Sequence, residues 1–383
     1  MICITNGKVI TMEGPVYETG SVLIENGKVK AVGDDIDVPA DAEVIDAGGM
    51  YVLPGIVDAH CHIGMWEDAM GFEGADGNEM TNPVTPALRA IDAINPLDHC
   101  FEEAREYGVT TVVTGPGSAN VIGGQFLAMK TAGECVDDMI IRSPIALKAA
   151  LGENPKRVYY EQKKSPSTRM ATASELRKAL IRAQEYKRKM GESDADKRPE
   201  RDLDMEAIVQ VLDGEIPLKI HCHRADDIQT AVRIAKEFDI RYTLDHCTEG
   251  YLIADFLKRE GATVIVGPYL TERTKIELRN LTFRAPGILH KTGIKVAMMT
   301  DHPVTPTQYL PVCAGIAARE GMEETEAMKM ITINAAEAVG LGDRVGSIAP
   351  GKDADLAVFD GHPFDTRTHV KWVLIDGEIV KRP

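Results

Sequence analysis

Five of the ten histidines stand where short β-prone runs stop. VDAHCHIG carries His60 and His62, LKIHCHRADD carries His221 and His223, and YTLDHC carries His246. A sixth such run, VAMMTDHP, ends on Asp301. Neutral imidazoles converging with one carboxylate make a site for a borderline divalent ion such as zinc. Side chains alternate along a strand, so His60 and His62 share a face, as do His221 and His223. Cys61 and Cys222 between them then point the other way, as packing residues. A lone histidine is most simply a satisfied core residue, but four from strand ends beside an aspartate favour a metal site. His99, His290, His362 and His369 read as surface or packing residues. His302 follows Asp301 and points away from it, a supporting position at most.

The elements that must position these residues can be read from the same pattern. Strands are expected at Val52–Asp58, Val109–Thr114, Gln125–Lys130, Ile145–Leu151, Pro217–His223, Arg241–Cys247, Thr263–Pro268 and Ile294–Thr300. Helical stretches lie between many of them, at Leu97–Tyr107, Ser174–Met190, Met205–Leu212, Ile228–Phe238 and Tyr251–Glu260. Strand–helix alternation implies a parallel sheet, and eight such strands imply a (β/α)8 TIM barrel. The strand ends then meet on one face, where barrel active sites are built. An open doubly wound sheet competes, but no Gly-x-Gly-x-x-Gly turn follows an early strand. Both chain ends are strand-like, with Asn6-Gly7, Asn26-Gly27 and Asp376-Gly377 as hairpin turns. The division expected is a composite β-sandwich domain, 1–53 with 342–383, around a barrel domain, 54–341. Ile63–Asn95 is a long irregular insert, read either as an active-site lid or as a solvated excursion or oligomer contact. Met190–Arg201 reads as a surface linker, and the glycine-rich GPGSANVIGGQ as a loop shaping the barrel mouth.

Composition narrows the classes. Lys and Arg number 43 against 59 Asp and Glu, a net charge of −16. That opposes nucleic-acid or anionic-membrane partners, which need a basic face. Seven cysteines without regular spacing suggest a reducing compartment. No apolar run nears the ~18 residues of a membrane helix. The N-terminus reads as a strand and turn, not a signal peptide, so a cytoplasmic location is expected.

These residues carry a resemblance over nearly the whole chain. The HxH pair, the later histidines and Asp301, with DAGGMYVLPGIVDAHCH and GSIAPGKDADLAVFD, resemble the amidohydrolase superfamily of metal-dependent hydrolases. GVTTVVTGPGSANVIGGQ and ALGENPKR are similar to its imidazolonepropionase-related group. The resemblance implies metal ligands at His60, His62, His221, His246 and Asp301, with Asp301 also moving protons. It implies one ion or two; a second would be bridged by a carboxylated Lys148 or, alternatively, by Glu153. Against those readings stand a surface lysine and a loop carboxylate. The family's ring-hydrolysing members carry a Glu three residues after the strand-five histidine, where this chain has Arg224. His223 faces the same way as His221 and is a candidate to touch substrate or polarise a carbonyl. Arg224, Lys156 and Arg157 are candidates to meet a substrate carboxylate.

The chemistry expected is attack of an activated water on an amide or cyclic amide carbonyl, on a small-molecule substrate. A dipeptidase or N-acyl amino-acid hydrolase competes with a lactam or imidazolone hydrolase. An amino-sugar deacetylase is a further alternative, and a metal-binding scaffold of the same fold is the non-enzymatic one. A homo-oligomer is compatible with the terminal β region and the insert.

Overall fold

Two β-sheets organise residues 1–383 in the computed structural model. The chain opens with β1 (Ile2–Ile10), β2 (Val16–Glu25), β3 (Lys28–Gly33), β4 (Glu43–Asp46) and β5 (Tyr51–Pro54). The second sheet follows as β6 (Ile56–Cys61), β7 (Val109–Thr114), β8 (Ile122–Lys130), β9 (Ile140–Ala150), β10 (Leu218–Cys222), β11 (Tyr242–His246), β12 (Thr263–Val266) and β13 (Val296–Met298). The chain closes with β14 (Leu356–Phe359), β15 (Val370–Ile375) and β16 (Glu378–Lys381).

The terminal strands pair in the order β16-β15-β14-β5-β1-β2-β3, with β4 also on β1. Antiparallel pairing of β5 with β14 joins the two ends of the chain. Hydrogen bonding runs through them as one sheet, where the expected sandwich would divide into two. The sheet keeps its own apolar core, including Ile4, Val9, Val22, Val52, Leu356 and Val358. Asn26-Gly27 and Asp376-Gly377 turn hairpins as expected, with positive φ at both residues of each pair. Asn6-Gly7 does not. β1 runs straight through it, and the irregularity is absorbed as register shifts around Gly7. A Cβ on Gly7 would stand 2.5 Å from a Val52 methyl, so the bulge seats the two strands closely.

The second sheet is a nearly closed barrel running in order from β6 to β13. The seam is spanned by Asp301 N–H donating to the His60 carbonyl (3.1 Å) and His62 N–H to the His302 carbonyl (3.0 Å). One expectation fails at the third strand. β8 is antiparallel to both β7 and β9, so the barrel is not the uniformly parallel (β/α)8 form. The reason lies in the loop before it. Gly115–Val121 is too short for a parallel crossover, which needs a dozen or more residues, so the chain must turn straight back. The inward apolar layer includes Val57, Val113, Phe126, Ala146, Ile265 and Ala297. At the foot of β8, buried Lys130 binds Asp353 (3.0 Å) and Asp355 (2.5 Å), tying the barrel to the terminal sheet. The five expected helices form, the longest as Arg169–Met190. None is long and apolar enough to cross a membrane.

Candidate metal centre

The strand ends bring the expected residues together, but not by simple alternation. On β6 the inward residues start as Val57 and Ala59, which would leave His60 facing out. A bulge between Asp58 and Cys61 resets the alternation. His60 and His62 therefore both reach the mouth, while Cys61 is buried among apolar neighbours. On β11, Asp245 points inward, and His246 reaches the mouth only because its φ turns to 71°. Asp301, just beyond β13, sits at φ 55°. Left-handed backbone at two non-glycine residues of one site is strain of the kind that clusters where function requires it.

His60, His62 and Asp301 form one group of potential ligands, and His221, His223 and His246 a second. His62 Nε2 lies 3.1 Å from Asp301 Oδ1 and His60 Nε2 3.5 Å from the same oxygen. His221 Nδ1 faces His246 Nε2 at 2.7 Å. The far nitrogens are engaged elsewhere. His60 Nδ1 is held by Asp245 (2.5 Å), His62 Nδ1 by the Gly115 carbonyl (2.6 Å) and His246 Nδ1 by the Gly267 carbonyl (3.0 Å). Each of those acceptors takes the ring's one N–H, so the inward nitrogens of His60, His62 and His246 are bare lone pairs. Between His62 and Asp301 a lone pair then faces a carboxylate oxygen, an arrangement that asks for a cation between them. The donor set therefore fits a divalent metal of the type bound by imidazole and carboxylate.

Electrostatics agree. Burial, helped by Lys148, pulls His60 down to about 4, and burial takes His221 and His246 well below the usual histidine range. Burial also lowers His223 to about 3. These four rings are neutral at pH 7, the form that ligates. Burial alone would raise the Asp301 carboxyl, and the imidazoles around it pull it well below the ordinary range only where they present a proton to it.

Lys148 enters the cluster. It is wholly buried, with Nζ 3.2 Å from His60 Nε2. Burial draws its ammonium down to about 8, against the opposing pull of Asp245 and Asp301. Glu153 does not join either group; it opens the helix Glu153–Glu161 and gives its backbone N–H to Glu277 (3.0 Å). His223 is buried, its Nδ1 on the Thr248 hydroxyl at 2.7 Å. His302 is buried too, its Nε2 without a partner. Arg224, Lys156 and Arg157 line a cleft of about 810 Å³ together with Glu153 and Glu277. Arg224 is already forked onto Asp226 (2.9 and 2.8 Å).

The insert Ile63–Asn95 is stitched to the glycine-rich loop at the mouth. Asn78 accepts the Ala119 N–H (3.1 Å), Asn120 donates to the Asn82 carbonyl (2.7 Å), and Trp66 sits edge-on to His62 with ring centres 5.0 Å apart.

Three site residues escaped the sequence reading. Lys219 and Asp245 lie beneath the histidines, 3.1 Å apart. Lys219 shares the alternation of His221 and could have been found by it. Glu277 lies on a short turn after β12 and carries no sequence signal.

Residues 51–380 match the family model described as the amidohydrolase family. The chain belongs to the amidohydrolase family. It is thus a hydrolase acting on C–N bonds, as relatives with similar sequences also indicate. It is 30% identical to Amidohydrolase tasK of Hapsidospora irregularis over 95% of this chain, although it spans only 40% of that protein's length. It is 29% identical to the imidazolonepropionase of Geobacillus sp. (strain WCH70), over 90% of this chain and 84% of the enzyme. The crystal structure of an amidohydrolase from Thermotoga maritima MSB8 superimposes with a TM-score of 0.97 at 45% identity, covering both chains in full. This amidohydrolase therefore sits in the imidazolonepropionase-related part of the superfamily.

Proposed function

We propose that this amidohydrolase hydrolyses an amide or cyclic amide bond of a small molecule, using a divalent ion held by His60, His62, His221, His246 and Asp301. Lys148 is the group that would bridge a second ion as a carbamate. A lysine lowered to about 8 reaches the free amine that carbamate formation needs more readily than an ordinary lysine does. Glu153 has no such support. Zinc suits the imidazole-rich donor set best. Such an ion supplies Lewis acidity and lowers the pKa of a water towards about 7. Asp301 would orient the attacking water and take its proton, then return the proton to the leaving nitrogen, which must be protonated to depart. His223, neutral at pH 7, is placed to donate a hydrogen bond from Nε2 to the carbonyl oxygen as charge develops there. Lys156 and Arg157 offer charge to a substrate carboxylate, and Arg224 does so only by sharing its pair with Asp226. The fold would divide as 1–53 with 342–383 against 54–341.

The observation that carries this reading is the bare His62 nitrogen facing Asp301 at 3.1 Å while its other nitrogen is tied to Gly115. Metal content per chain, measured beside turnover on dipeptides, N-acyl amino acids and lactams, tests it. Stoichiometric metal with hydrolysis of one of these classes is expected. A metal-free chain, or a loaded chain active on none of them, would overturn it.

A further inference from the structure

Glu277 is the residue this site contains without an assigned use. It is completely buried, on the single turn Ile276–Leu278. Its Oε2 is fixed by the Glu153 N–H at 3.0 Å, so the carboxylate cannot swing freely. Its Oε1 has no hydrogen-bond partner. The nearest nitrogens are His223 Nε2 at 3.7 Å, His221 Nε2 at 3.8 Å and the Lys275 ammonium at 3.9 Å, within ion-pair range but beyond hydrogen-bonding distance. Leaving a buried acceptor unmet is costly, more so for a charged one, so a chain that keeps one has a donor to receive.

A second acceptor stands beside it in the same condition. Asn154 Oδ1 is buried and unpartnered, while its amide nitrogen donates to Ser118 (2.7 Å) and lies 3.4 Å from His221 Nε2. Glu277 Oε1 and the Asn154 amide thus flank one histidine of the metal group. A donor with several N–H bonds answers a buried carboxylate oxygen best, and a primary ammonium has three. Across the cleft, Arg224 and Arg169 are neutralised by Asp226 and Asp227, whereas Lys156 and Arg157 form no ion pair.

We propose that Glu277 is a specificity-determining residue that, with Asn154, receives a protonated amine of the substrate while Lys156 and Arg157 receive its carboxylate. The substrate class is then a zwitterionic amide of dipeptide type, in preference to an N-acyl amino acid. This rests on the C–N hydrolase reading above and narrows it.

Equilibrium binding to the metal-loaded full chain tests it without requiring turnover. The probes are leucine, which has ammonium and carboxylate, and N-acetylleucine, which has only the carboxylate. Wild type is expected to bind leucine at least about ten-fold more tightly. Glu277→Gln keeps an oxygen for the Glu153 N–H and removes the charge. It is expected to lose the preference, leave N-acetylleucine binding unchanged and retain its metal. Equal binding of the two probes by wild type, or no binding of either, overturns the proposal even if the variant does not fold. Equal weakening of both probes by Glu277→Gln, or loss of its metal, also overturns it, because a structural role would do that. If leucine is preferred but no amide is hydrolysed, the hydrolase reading and the substrate class fail, and only Glu277 as an amine-binding residue stands.

Discussion

Replacing Asp245 by asparagine tests how the metal centre is held from below. Asp245 Oδ2 lies 2.5 Å from His60 Nδ1 and 3.1 Å from Lys219 Nζ, and both its side chain and that of His60 are wholly buried. At 3.1 Å, with an effective dielectric of about 20, the pair with Lys219 attracts by roughly 5 kcal/mol before desolvation. Removing one partner of a buried pair strands the other charge and costs about 3–5 kcal/mol. Lys219 keeps only the Ala59 carbonyl, at 3.0 Å, so Asp245→Asn should fall in that range. Burial would raise the Asp245 carboxyl, but Lys219, His60 and Lys148 hold it far below its ordinary value. A depressed carboxyl contributes stability that is present above its unfolded pKa and lost as pH falls. The deficit should therefore be full at pH 7 and shrink in acid. Denaturant unfolding of the metal-free chain measures it, and chelator competition measures the ion. The outer partner of a ligating histidine is typically worth 10–100-fold in metal affinity. Adding Lys219→Met removes the stranded charge and should recover most of the stability but not the metal affinity. A cost below about 1 kcal/mol, or a double variant no better than the single, would refute the coupling.

Asp301→Asn should abolish turnover while leaving most metal bound, since His60 and His62 remain; retained kcat would exclude it as the proton carrier. Lys148→Met should lower the metal content of the loaded chain, read by elemental analysis, from two ions to one. Lys130→Met leaves Asp355 buried without its cation; burial already raises that carboxyl even with Lys130 present. A raised carboxyl favours folding at low pH and opposes it as pH rises, so the variant's deficit of about 3 kcal/mol should be smaller at pH 5 than at pH 8. Of the seven cysteines only Cys135 is exposed, so a native-state alkylation should label one thiol, by mass, and more than one would show that the barrel opens.

The candidate ligand set was legible because imidazoles at strand ends leave a local pattern in the sequence. His60 with His62 and His221 with His223 declare themselves by spacing alone. What orients them was less visible. The reversal of β8 follows from a loop too short to cross over, which can be read only once β7 and β9 are known to be parallel barrel strands. The bulge at Asp58–Cys61 and the left-handed turn at His246 change which side chains point inward, and no residue type there announces them. Asn6-Gly7 shows the converse, a strong turn signal overruled because β1 is held by β2 on one side and by β4 and then β5 on the other, before and after the irregularity at Asn6-Gly7. Glu277 reaches the site from a turn distant in sequence from every ligand, so only the folded chain brings it there.

The pairing of β5 with β14 has a consequence for synthesis. The strand that leads directly into the first candidate metal-binding histidines waits for a partner made some 300 residues later. Until then its edge is open, and the anions that neutralise Lys130 do not yet exist in the growing chain. Contacts this far apart form late and slowly. A ribosome-bound or C-terminally truncated chain therefore presents an apolar, unpaired edge of the kind that invites aggregation or chaperone capture. The last 30 residues, remote from any chemistry, complete the seal.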